Sequence, residues 1–390
     1  MTAGKPTLGV GVVGFGWMGQ VHARAFSRLL QHYPDAPLRP RFVAVADTAT
    51  DDRSQRAAAA FGFEHQLTDW RDLIARDDVD VVCVTGPNFI HRDVAVAAAQ
   101  AGKHLWVEKP AGRTSAETGE IVAAVQAAGV QAAAGFNYRN APAVEYARHL
   151  VRSGRLGRIE HTAVRFCSDY SAHPDGALTW RFQNEFAGSG VLGDLVSHAV
   201  DLVRFVVGDL TELVVDRATF ITERPAALGA ASHFSRGADG PRLPVENEDY
   251  VAALLRLADG SRGTLESSRT EVGDQNAYSI EVHGTEGALA WNYRRMGELR
   301  VCLDQDVQDA QYATLMVTPA HGELGAFQPG SANPMSYDDL KVVEAYRLVE
   351  SIGTGKPVGA TVTDALIAAR TIDAMLLSSQ ERRWVTLGEA

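Results

Sequence analysis

Short valine-rich runs alternate with stretches of helical periodicity over the first 135 residues, and a period of two takes over further on. Leu8 to Val13 is apolar throughout and reads as a buried parallel strand. From Gln20 the apolar residues return at helical spacing, at Val21, Ala25, Phe26 and Leu29. Pro34 to Pro40 contains three prolines and reads as a rigid surface connection. Phe42 to Ala46, Val79 to Val84, His104 to Val107 and Val130 to Ala134 predict four more strands. Helices are predicted at Ala57 to Phe61, Thr68 to Ile74, Phe89 to Ala101 and from Thr114 to Ala128. Gly102 and Gly129 end two of them, and Thr114 with Glu117 forms a capping box. This rhythm predicts an α/β domain over residues 1–135 built on a doubly wound parallel sheet.

Beyond Gly135 the pattern changes. Pro142 opens a helix to Val151, and strands follow from Ile159. Tyr250 to Leu257 and Gly263 to Arg269 alternate around Asp259-Gly260, and Ile280 to His283 and Ala288 to Tyr293 flank Gly284 to Gly287. These are antiparallel hairpins. A helix from Gly193 to Val207 interrupts them, and helices near Asp338 to Ser351 and Thr363 to Ser379 close the chain. Residues 136–390 thus predict an α+β domain with a large open antiparallel sheet. Helices cover one face, and the need to bury the other predicts a homo-oligomer, a dimer or tetramer. Thr222 to Glu248 is a long polar connection, a candidate lid or subunit arm.

Composition narrows the partners. The chain has 390 residues, and its net charge of −11 argues against nucleic acid or an anionic membrane. Its three cysteines, Cys83, Cys167 and Cys302, give neither a disulfide framework nor a metal cluster and suit a reducing cytoplasm. No signal peptide or membrane-spanning run is read, and no metal is expected. Of 37 basic residues only five are lysines: Lys5, Lys103, Lys109, Lys341 and Lys356. A lysine kept in an arginine-rich chain points weakly to ammonium chemistry.

Candidate chemistry gathers at strand ends. Gly14-Phe15-Gly16-Trp17-Met18-Gly19 fits G-x-G-x-x-G between a strand and a helix, as a dinucleotide pyrophosphate requires. Asp47, ending the second strand, suits an adenosine ribose and favours NAD over NADP, although NADP stays possible with Arg53 close by. Thr85 to Asn88 and Glu108 to Pro110 follow two further strands. In the 193–207 helix, Asp194, Ser197, His198, Asp201 and Arg204 form one polar stripe. Asp194 and His198 are spaced for a carboxylate-oriented base, and equally for a dipole-complementing aspartate beside a histidine on a wet edge.

Taken together, Gly14 to Gly19 followed by Val21-His22-Ala23, then Glu108-Lys109-Pro110, then Gly190-x-x-Gly193-Asp194-x-x-x-His198-x-x-Asp201 resemble the Gfo/Idh/MocA oxidoreductases over nearly the whole chain. The resemblance implies an N-terminal Rossmann domain, an open-sheet second domain, and Lys109, Asp194 and His198 as catalytic set. It implies cofactor contacts from Gly14, Gly16, Trp17, Met18, Gly19, Asp47, Thr85, Pro87, Asn88, His91, Glu108, Lys109, Asn137, Trp180 and Arg181. Gly86 departs from the family's A-T-P-N by removing a hydroxyl, while Asn88 is in place. Glu108 is expected at the nicotinamide-side ribose, and Pro110 after a cis bond.

The reaction implied is oxidation of a ring secondary alcohol. His198 takes the hydroxyl proton, Lys109 stabilises the oxygen, and Asp194 orients His198 or holds a neighbouring hydroxyl; Lys109 and His198 are interchangeable as base at this stage. The substrate expected is a sugar, anhydrosugar, glycoside or cyclitol, met by Lys109, Tyr138, Asp194, His198, Asn276 and Tyr337. Gly135 to Arg139 and Thr179 to Gln183 cluster aromatic and polar side chains suited to a polyhydroxy ring, or to interface packing. Trp180-Arg181-Phe182-Gln183, then Ala187-Gly188-Ser189-Gly190-x-Leu192-Gly193-Asp194, and the later Asn292-Tyr293-x-Arg295 are most similar to the levoglucosan dehydrogenase branch of the family. Alternatives are carbonyl reduction in the reverse direction, NAD-dependent glycoside hydrolysis, and a non-catalytic sensor.

Overall fold

The computed structural model describes residues 5–48, 52–227, 235–237, 240–304, 306 and 308–389; the side chains of 52–54 are not described. The Arg53 side chain and parts of the 222–248 connection therefore lie outside what the structure describes. The chain forms two compact units, residues 1–137 with 336–367, and residues 138–335 with 368–390.

The first unit alternates strand and helix: β1 (Thr7–Val13), α1 (Trp17–His32), β2 (Arg39–Ala46), α2 (Asp52–Phe61), β3 (His65–Leu67), α3 (Trp70–Ile74), β4 (Val81–Val84), α4 (Asn88–Gln100), β5 (His104–Val107), α5 (Ser115–Ala128) and β6 (Ala132–Ala134). The six strands run parallel in the order β3-β2-β1-β4-β5-β6, the doubly wound arrangement expected. β1, β4 and β5 are almost fully buried, which explains their unbroken apolar sequence. β3 is too short to leave a periodic signal. β2 starts at Arg39, so the proline connection is shorter than expected. Thr114 caps α5 by accepting from Glu117 N–H at 3.2 Å, while the Glu117 carboxylate takes the Arg113 N–H instead of completing the box.

The second unit contains α6 (Pro142–Arg152), β7 (Ile159–Cys167), α7 (Asn184–Ala187), α8 (Ser197–Val206), β8 (Leu210–Ala218), β9 (Glu223–Pro225), β10 (Arg242–Pro244), β11 (Tyr250–Leu257), β12 (Arg262–Ser268), β13 (Ala277–Gly284), β14 (Ala288–Asn292), β15 (Glu298–Cys302), β16 (Ala313–Met316) and α9 (Leu324–Phe327). Its nine-stranded sheet has the order β16-β15-β14-β13-β7-β12-β11-β8-β17, with β17 spanning Val385–Thr386. The sheet is mixed: β7 and β12 pair in parallel, a correction to the all-antiparallel expectation. Hairpin reasoning sees only sequence neighbours, and this pair is far apart in the chain. Val164, Phe166, Ile280 and Val282 point to the buried face, while Ala163, Arg165, Ser279 and Glu281 alternate onto the open one. β9 and β10 form a separate two-stranded sheet, so the described part of the 222–248 connection has structure of its own.

One division at 135/136 does not describe the chain. After the second unit's sheet, α10 (Tyr337–Thr354) returns to the first unit, and α11 (Val362–Glu381) follows. The reason is ionic as well as apolar: Arg24 and Arg28 of α1 meet Asp338 at 2.5 Å and Asp339 at 2.6 Å, and Tyr33 stacks on Tyr346 at 3.9 Å. Among the described residues one helical stretch, Asn184–Val206, is long and apolar enough to cross a membrane, contrary to expectation. Most of it is buried inside the second unit, with Asp194, His198 and Asp201 along it.

Candidate active site

In the first unit, the turn between β1 and α1 is built from close backbone approaches. Gly14 has φ +84°, and a Cβ there would lie 2.5 Å from the Gly86 Cα. A Cβ on Gly19 would lie 2.3 Å from the Gly14 carbonyl oxygen, whereas Gly16 faces open space. Gly16 begins α1 with no side-chain cap, and no acidic residue stands in the first turn. The N–H groups of that turn and the helix dipole suit an anion. Thr85 donates its hydroxyl to the Gly14 carbonyl at 2.6 Å, and the Asp47 carboxylate accepts the Phe15 N–H, so both brace the turn. Trp17 is exposed and stacks on Tyr337 with centroids 5.5 Å apart, which places Tyr337 beside the glycine turn.

Pro87 precedes α4 and Asn88 is its first residue. His91, one turn on, is buried, and its ring nitrogens lie 2.8 Å from the carbonyls of Gly86 and Pro110. It ties the ends of β4 and β5 together. Lys109 is half-buried and joined to Pro110 by a cis peptide bond, as expected.

Glu108 also turns inward. Its carboxylate accepts from Lys341 Nζ and from His22 Nε2 at 2.9 Å, and its residue is 6 % exposed. Burial opposes the charge, but Lys341 and His22 hold the Glu108 carboxyl well below its ordinary range. Burial lowers His22 to about 4, against the pull of Glu108, so the imidazole is neutral at pH 7. Asn137 is fully buried, and neither atom of its amide has a hydrogen-bond partner. A buried amide left open in this way fits a group supplied from outside the chain.

In the second unit, His198 is buried in the first turn of α8. Tyr138 meets its ring edge-on at 4.8 Å, Phe166 lies 6.1 Å away, and Tyr278 donates its hydroxyl to the His198 carbonyl at 2.7 Å. Tyr138 also touches Tyr278 and Tyr293 edge-on, each at 5.0 Å. The residues before α8, Leu192–Val196, form a π turn rather than the regular helix expected. The wider turn changes the phase of Asp194 relative to His198, and π turns recur at functional sites. Asp194 accepts from the Tyr170 hydroxyl at 2.5 Å. Burial, and then the Asp194 charge, push the Tyr170 phenol well above its ordinary value, so it stays a donor.

Other expected residues are placed differently. Asp201 pairs with Arg139 through a 3.0 Å contact inside the core. Arg181 lies 4.5 Å over the Trp180 ring, and its carbonyl accepts from Asn247, consistent with a packing role for this pair. Asn276 sits exposed in a turn at φ +48°. Sequence reasoning missed Tyr170, Tyr278 and Lys341. Only Lys341 left a signal, as one of the five lysines. Glu64, His65 and Asp78 lie close enough to share a cation, but Arg41 meets Glu64 at 2.7 Å and Arg76 meets Asp78 at 2.9 Å.

Residues 8–136 match the family model described as the oxidoreductase family, NAD-binding Rossmann fold, and residues 144–290 match the GFO/IDH/MocA C-terminal domain. The levoglucosan dehydrogenase of Pseudarthrobacter phenanthrenivorans is 36% identical over 97% of each chain. The inositol 2-dehydrogenase of Rhizobium meliloti is 25% identical over 98% of this chain and 99% of its own. A solved levoglucosan dehydrogenase, in complex with NADH and L-sorbose, superposes with a TM-score of 0.92 at 33% identity, covering 99% of this chain and all of that one.

Proposed function

The chain belongs to the Gfo/Idh/MocA family of NAD-binding oxidoreductases, and from that premise we propose that it oxidises a ring secondary alcohol of an anhydrosugar such as levoglucosan, or of a related sugar, glycoside or cyclitol. The observation that carries this reading is His198, a buried imidazole walled by Tyr138 and Phe166 next to a π turn that carries Asp194. Aromatic walls suit the C–H face of a sugar ring, and a carboxylate held by Tyr170 offers an acceptor for its hydroxyls. The full-length likeness to a levoglucosan dehydrogenase supports the substrate class.

Bound NAD supplies the acceptor for the hydride that leaves the carbinol carbon. The N–H groups after Gly14, from Gly16 through Trp17, Met18 and Gly19, hold the pyrophosphate, and Asp47 takes the adenosine ribose. Asn137 offers its open amide to the cofactor. His198 accepts the hydroxyl proton. Lys109 donates to the same oxygen and stabilises the charge that develops there. Asp194 fixes a neighbouring hydroxyl. The same groups run the reduction in reverse.

A homo-oligomer through the open sheet face completes the reading. That face carries Val214, Ala252 and the 52 % exposed Leu254 between charged residues, an apolar strip within a polar rim.

Levoglucosan, myo-inositol and a panel of glycosides, each followed at the NADH absorbance band with NAD and NADP in parallel, test the proposal. NADH formation with one sugar or cyclitol is expected, with NADP the weaker cofactor. Hydrolysis without net NADH would instead establish the glycosidase alternative, and no response to any of them would remove the substrate class.

A further inference from the structure

The buried ions beside Lys109 form a cluster that the reaction does not use directly. Glu108 ends β5, and its carboxylate lies so close to the β6 exit that a Cβ on Gly135 would fall 2.5 Å from one oxygen. One oxygen receives Lys341 and His22, and the other lies 3.4 Å from the Lys109 N–H. Lys341 is fully buried, bridges on to Glu344 at 2.9 Å, and stands 5.4 Å from the Trp106 ring. His22 stacks on that same ring at 3.6 Å, and its Nδ1 is buried without a partner. That is the tautomer with its proton on Nε2, facing Glu108. The Cys83 thiol, raised by burial and by Glu108, and His91 on Pro110 are the other titratable groups facing this strand end.

The Glu108 carboxylate is held from α1 by His22 and from α10 by Lys341, it packs against Gly135 just past β6, and its neighbour in the chain is Lys109. Lys341 is the only full positive charge set against Glu108 in this cluster among the described residues, and it arrives on α10, which returns to the first unit after residues 138–335. A buried carboxylate that loses its cation must take up a proton, draw in water or move.

We propose that Lys341 is a positioning residue for Lys109: by fixing the Glu108 carboxylate it sets where the Lys109 ammonium stands. The inference rests on the dehydrogenase reading only for its kinetic consequence. Lys341→Met keeps the stem of the side chain and removes the charge. With Lys356→Met as control, the expected result is a kcat reduced about tenfold or more, with KM and NADH affinity changed less than about threefold, because a displaced catalytic donor weakens the transition state and not ground-state binding. The double variant Glu108→Gln/Lys341→Met should be no slower than the worse single variant, since both act on one link.

A second readout needs no turnover. With ¹³C-methylated lysines, the few lysine signals separate Lys109 from the surface, and Lys341→Met is expected to move the Lys109 signal while Lys5, Lys103 and Lys356 stay in place. If Lys341→Met folds, melts at a lower temperature, yet retains wild-type kcat and an unmoved Lys109 signal, the cluster is structural only and the inference is overturned. If the wild type oxidises no sugar or cyclitol but the Lys109 signal still moves, the substrate reading fails and the positioning link stands.

Discussion

His22 stays neutral at pH 7 because burial outweighs its hydrogen bond to Glu108. Its pKa falls from 6.5 in the unfolded chain to about 4 when folded, so between those values the unfolded chain holds more protons. Stability therefore drops as pH falls from 6.5 towards 4, by up to about 1.4 kcal/mol per pH unit for this one group. Glu108 acts in the same direction: its folded pKa is depressed, so its stabilisation is present above the unfolded value of 4.5 and is lost as the pH falls below it. Denaturant unfolding from pH 7 to pH 4 should show this slope, and His22→Gln, which keeps a donor towards Glu108, should flatten its upper part. An equally steep slope in that variant would place the effect elsewhere. At this scale the sequence was readable where residue type and frequency carried meaning. Lys109 stood out in an arginine-rich chain, and Lys341 stood out equally. Tyr170 did not, because its contact with Asp194 is made from an irregular segment with no period to follow. Arg139 looked like a sugar contact because a lone arginine in a polar cluster does not show that Asp201, 62 positions later, takes its guanidinium.

The elements were more legible than their irregularities. The glycine turn was predicted from spacing, and its atoms give the reason: Gly14 and Gly19 stand where a side chain would strike backbone. Gly19→Val should abolish measurable NADH binding, as read by fluorescence titration, and destabilise the first unit by ~1–3 kcal/mol through overpacking. NADH binding at wild-type affinity in that variant would contradict the placement of the cofactor on this turn. The 193–207 helix was expected to be regular, and Asp194 and His198 were expected one turn apart on it. No proline or charge run announces the π turn at Leu192–Val196, and the phase it introduces is visible only in the backbone. β3 was missed for a different reason: three residues are too few for alternation to register. The parallel pairing of β7 with β12 was missed because alternation fixes which face a residue occupies and not which strand lies alongside.

At the scale of the whole molecule, the order of the chain is not the order of the units. α10 reads in sequence as the end of the second domain, but its acidic first turn meets Arg24 and Arg28 of α1, and its Lys341 enters the cluster around Glu108. Local periodicity identifies such a helix without saying where it docks. The open face of the nine-stranded sheet makes a prediction about assembly. Leu254→Glu places a charge in the middle of its apolar strip, and sedimentation should then show dissociation to the monomer with the fold retained. An unchanged mass would contradict assembly through this face. The proposed roles of Lys109 and His198 in the oxidation are tested most directly by measuring turnover and NADH binding side by side in the wild type, Lys109→Ala and His198→Ala. The wild type is predicted to form NADH from a sugar or cyclitol, and each variant to lose about 10²-fold or more of kcat while still binding NADH. Turnover at the wild-type rate in either variant would contradict the account.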